Sequence, residues 1–213
     1  MARRIAQLIS IALAATLAAA CSTAPAKFYS LASTSTADGT PATAATVMVG
    51  PVTIPAAVDQ PEFVVQVAAN RVEVNEFNRW VSPLGDGIAR TVAGDLVVLL
   101  GTPQVASAQL ANFTPDYRVT IDVQKFESVQ GQAATLEAVW TVRKTAGGEI
   151  RSGRTVAREQ VQGQGFDALA AAHSQALAKM SADIAAAIRA EAEQKSRAAM
   201  ERDFSRAKGK VIL

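Results

Sequence analysis

The sequence predicts an α/β layered domain, a mixed and mostly antiparallel sheet carrying two main helices. Three observations lead there. Tyr117, Val119, Ile121 and Val123 alternate with polar residues, as do Leu136, Ala138, Trp140 and Val142, which is the period of half-buried strands. The connections after these strands are too short for crossovers, so neighbouring strands run antiparallel. Two segments, near residues 83–100 and 167–190, carry apolar residues at helical spacing. The apolar fraction of 49% is ample for a packed core, and 213 residues suit one domain with appendages.

Taken in order, Phe28–Leu31 reads as a short first strand. Residues 32–46 are rich in Ala, Ser and Thr, with Gly39 and Pro41, and read as a loop; it is either a passive connection or a lid. Val47–Ile54 is a strand broken by Gly50-Pro51 and closed by Pro55. Phe63–Ala68 and Arg71–Phe77 are strands joined by a turn at Ala69-Asn70. Ser82 is placed as an N-cap and Pro83 as the first helical residue. Ile88, Val92, Leu96, Leu99 and Leu100 then form one face, and Gly101 and Pro103 stop the helix. Phe126 falls out of phase with the strand before it, which predicts a bulge near Gln124-Lys125. Gly147-Gly148 turns into a third meander strand near Ile150–Val161. A long helix from about Asp167 carries the stripe Leu169, His173, Leu177, Met180, Ile184 and Ile188. Beyond Glu191 the chain turns charged and Ala-rich, a solvated helical extension that frays toward Val211–Leu213.

The first 20 residues read as an export signal. Arg3-Arg4 is basic, Ile5–Leu17 apolar, and Ala18-Ala19-Ala20 small. The single cysteine, Cys21, follows directly. Two readings of it stand: acyl attachment at a lipobox-like junction, or a free thiol after ordinary cleavage. Acylation makes residues 21–26 a lipidated tether, and six residues reach at most about 20 Å. The domain proper is then 27–190, with 191–213 as the extension. Without Arg3 and Arg4 the chain holds 19 basic and 19 acidic side chains, so the pI of 8.8 describes the leader more than the domain. No basic cluster fits a nucleic-acid surface.

Catalytic and metal-binding constellations are lacking. One cysteine and one histidine exclude multi-Cys and multi-His metal sites, and there is no GxSxG elbow. His173 sits on an apolar stripe, the place of a core histidine. No cofactor, no metal and no catalytic residue is expected. The unusual stretch is Val49–Leu84, with Pro51, Pro55, Asp59, Pro61, Arg79, Trp80 and Pro83. It is either a rigid connection with Trp80 in the core, or an interface in which Arg79 and Trp80 are anchors, with cation–π packing between them.

That stretch, with "FYSL" at Phe28–Leu31, "VGPVTIPAAVDQP" at Val49–Pro61, and Arg79-Trp80 with Pro83-Leu84 opening a helix, resembles the ABC-type transport auxiliary lipoproteins, the PqiC family. Ala57 and the charged tail depart from the family pattern. The resemblance spans about Lys27–Ala190 and implies a three-layer α/β sandwich similar to the TolB N-terminal domain. It also implies a non-enzymatic lipoprotein on the periplasmic face of the outer membrane. Such a protein would dock the periplasmic MCE component of an ABC permease/ATPase lipid transport system, with a homo-oligomeric ring as a plausible assembly. The rival functions are a lipid carrier with an apolar groove and, least favoured, an envelope enzyme.

Overall fold

The computed structural model describes residues 25–109, 111–147 and 150–209, with side chains through residue 193. The export signal, Cys21 and residues 211–213 lie outside the described residues. Among the described residues, eight strands and two helices follow in the order β1 (Lys27–Tyr29), β2 (Val47–Thr53), a 3-10 turn at Ala56–Val58, β3 (Glu62–Ala68), β4 (Arg71–Trp80), α1 (Leu84–Leu100), β5 (Val105–Ala106), β6 (Tyr117–Val129), β7 (Ala133–Lys144), β8 (Ile150–Gln160) and α2 (Gly165–Gly209).

A five-stranded sheet runs β5-β2-β6-β7-β8, and a three-stranded sheet runs β1-β4-β3. The β6-β7-β8 meander and the β3-β4 hairpin are antiparallel, while β2 pairs parallel with β5 and β6, and β1 with β4. The predicted α/β sandwich with a mixed, mostly antiparallel sheet is the fold the chain adopts.

Periodicity explains the layers. Tyr117, Val119, Ile121 and Val123 of β6 and Leu136, Ala138, Trp140 and Val142 of β7 are all buried on the helix-facing side. The bulge falls between Val123 and Lys125, which returns Phe126 to the core. Ile88, Val92, Leu96 and Leu100 of α1, and Leu169, His173, Leu177, Met180, Ile184 and Ile188 of α2, are fully buried. Gly153 on β8 lets the Trp140 indole lie directly over the backbone. A Cβ there would lie 2.2 Å from Cζ2 of Trp140, so the indole fills the space that glycine leaves.

Three local expectations need correction. Pro83, extended at ψ 131°, is itself the N-cap residue, and no side chain caps α1. Ser82 instead accepts a hydrogen bond from the Arg90 guanidinium. The first strand ends at Tyr29 rather than Leu31. The two-residue β5 was not foreseen.

The 32–46 segment has no regular structure but is firmly tied. Asp95, buried in α1, accepts from Ser33 Oγ (2.7 Å), the Thr34 and Ser35 backbone N–H groups (both 3.0 Å), and Ser181 Oγ of α2 (3.0 Å). Thr43 N–H donates to the Leu100 carbonyl, and Arg189 reaches Asp38 and the Leu99 carbonyl. Such bonding fits a pinned connection rather than a lid.

Candidate functional site

The proline-bearing stretch separates into a buried part and an open part. In the buried part, Trp80 is 6% exposed. It stacks on Phe63 (4.2 Å between centroids, 28°) and meets Phe126 and His173 edge-on. Its backbone N–H donates to the Pro61 carbonyl (2.7 Å). Strand alternation turns Arg79 the other way, where it pairs with Glu62. The Arg79–Trp80 cation–π contact considered from sequence is therefore absent, and Trp80 is a core residue, not a surface anchor.

In the open part, Pro51, Asp59 and Pro83 come together around a cleft of about 470 Å³. Its floor is residues Val49–Thr53 of β2 with Ile54 beyond it. Its walls are Asp59, the first turn of α1 (Pro83, Gly85, Asp86, Ala89) and Ser107. β2 creates this opening. Its pairing with β5 stops at Met48, and its register with β6 shifts between Val49 and Val52, at the Gly50-Pro51 break. Beyond Met48 the β5 side of β2 is thus an unpaired edge. Gly85 keeps the α1 turn close: a Cβ there would lie 3.6 Å from the Val52 carbonyl oxygen. An open edge beside a groove presents backbone donors and acceptors to an extended chain, the geometry of strand addition. Pro55 lies apart, in a second groove of about 170 Å³ with Val58, Val64, Val72 and Phe126. Sequence reasoning found Pro51, Asp59 and Pro83 but not the free β2 edge, because no residue pattern reports where a two-residue neighbour strand ends.

His173 is fully buried. Its Nε2 shares a 2.8 Å hydrogen bond with Ser128 Oγ, and its ring stacks on Phe126 at 3.8 Å. Burial lowers its pKa from 6.5 to about 3, so the ring is neutral. Among the described residues, no three His, Cys, Asp or Glu side chains converge to hold a metal, and no helix is long and apolar enough to cross a membrane.

The family model described as ABC-type transport auxiliary lipoprotein component matches residues 29–185. Among solved structures, a DUF330 protein from Xanthomonas campestris is 20% identical, with a TM-score of 0.67 over 81% of this chain and 99% of that one. Another, described only as an uncharacterized protein, is 22% identical with a TM-score of 0.64, covering 78% and 99%. At these identities the likeness shows the fold alone. No curated protein matches the sequence.

Proposed function

The chain belongs to the ABC-type transport auxiliary lipoprotein family, and from that premise we propose that it is the outer-membrane-anchored subunit of an MCE-type lipid transport system. Acyl chains on Cys21 hold the domain to the periplasmic face, and the domain docks the periplasmic MCE component of the permease/ATPase assembly. Docking is non-enzymatic. Confinement to a membrane raises the local concentration of the domain, so a modest interface suffices.

The family match over most of the chain is the observation that carries this reading. The cleft adds a place for the partner: the free edge of β2 beside Pro51, Asp59 and Pro83 suits an extended segment. Arg79, Glu62 and the prolines Pro55 and Pro61 belong to the supporting frame. Lipid carriage is less favoured, because the cleft of about 470 Å³ is lined in part by Thr53, Asp59, Asp86 and Ser107, and the smaller groove of about 170 Å³ falls below the roughly 300 Å³ at which ligand pockets begin.

The test is capture of the full-length, membrane-extracted chain after cross-linking. The wild type should recover an MCE-domain protein, and Asp59→Lys should lose it while unfolding at an unchanged temperature. Recovery of only unrelated envelope proteins by the wild type would overturn the docking role.

A further inference from the structure

The three-stranded sheet departs from the rest of the surface in composition. Nine large hydrophobic side chains are exposed among the described residues, and five of them lie in this sheet: Phe28, Val72, Val74 and Phe77 on one side, and Val67 on the other, with Phe63 and Val65. A sixth, Val81, follows β4 directly and is held to β1 by its N–H on the Tyr29 carbonyl. Phe28 and Val81 are each 62% exposed, and Val72 is 50% exposed. Monomer surfaces rarely gather apolar side chains this way without a covering partner. Lone exposed residues such as Val156 of β8, by contrast, are ordinary.

The position of the tether identifies the cover. β1 is the strand that the tether enters. Lys27 pairs with Asn78, and Phe28 with Arg79. Because β1 is parallel to β4, the chain enters it from the side of Phe77 and the β3-β4 hairpin. Cys21 lies six residues before Lys27, a reach of about 20 Å at full extension. An acyl group on Cys21 would therefore bring this sheet close to lipid. The side with Phe28 and Phe77 also carries the Arg79–Glu62 ion pair, at the end away from the hairpin, whereas the five-stranded sheet's outer side gathers Arg154 and Lys125 on Glu137.

We infer that the exposed side of the β1-β4-β3 sheet is the face on which the domain rests on the phospholipid bilayer, with Phe28, Phe77, Val72 and Val74 entering the headgroup region. This inference rests on the acylation of Cys21 proposed above. It implies that the lipid fixes the orientation of the domain as well as its location. A tether alone would leave the domain free to tumble beside the membrane.

The acylated full-length chain, placed in vesicles of acyl-brominated phosphatidylcholine, tests this. Tryptophans introduced singly at Phe77→Trp and Val72→Trp should be quenched several-fold more than Val156→Trp, with the native Trp80 and Trp140 as common background. Equal quenching at all three sites would overturn the inference. So would unquenched Phe77→Trp and Val72→Trp in a chain that sediments as an oligomer, since a second copy would then cover the face. Intact mass separates the two claims. A chain without acyl groups on Cys21 removes the anchor and this face's role together, while an acylated chain with unquenched probes removes the face's role alone.

Discussion

Replacing His173 with glutamine should abolish most of the acid sensitivity of the fold between pH 7 and pH 5. The imidazole is fully buried, its Nδ1 has no partner, and burial lowers its pKa from 6.5 to about 3. The folded state therefore binds fewer protons than the unfolded state over the whole range from 6.5 down to 3. Stability is complete above about pH 7 and falls as the pH drops through that window. At about 1.36 kcal/mol per pKa unit, the loss between pH 7 and pH 5 is roughly 2 kcal/mol. This is the chain's single histidine, so no other histidine contributes there. Glutamine can keep a hydrogen bond to Ser128 without titrating. Urea denaturation at pH 7, 6 and 5 measures the slope. The wild type should lose about 2 kcal/mol across the series, and His173→Gln should start lower at pH 7 but remain nearly flat. An equal slope in both proteins would refute the assignment of the acid response to this buried ring.

Gly153→Ala places a Cβ 2.2 Å from the Trp140 ring and should cost about 3 kcal/mol, read by the urea midpoint at constant m-value. Asp95→Ala removes the shared acceptor of Ser33, Thr34, Ser35 and Ser181, of which Ser181 keeps its bond to the Leu177 carbonyl. It should cost about 3 kcal/mol or more, with new protease cleavage in the 32–46 segment before global unfolding. Ser82→Ala should shift stability by less than about 0.5 kcal/mol, because its hydroxyl caps no backbone N–H of α1.

The elements legible from sequence are those in which burial alone sets the pattern. The α1 and α2 stripes and the β6 bulge follow from which residues must face one core, and Phe126 reveals the bulge because phase cannot change otherwise. Trp80 was ambiguous for a related reason. Alternation puts Arg79 and Trp80 on opposite sides of β4 without saying which side is covered, and only the stacking on Phe63 decides it. The Asp95 clamp was invisible because its donors come from about 60 residues earlier in the chain and from α2. The cleft was half visible. Its prolines and Asp59 stand out in sequence, but their grouping depends on β5 ending at Ala106 and on α1 packing close to β2 through Gly85. The exposed apolar side of the small sheet was hidden as well, since Val72, Val74 and Phe77 read as ordinary alternating strand residues.

Metabolic labelling of cells with radioactive palmitate is the most direct measurement of the central claim, that the domain works from a membrane to which Cys21 binds it. The account predicts label in the wild-type protein, recovered with the outer-membrane fraction, and none in Cys21→Ser. A wild-type protein that takes up no label, or a Cys21→Ser protein labelled as strongly as the wild type, would contradict it.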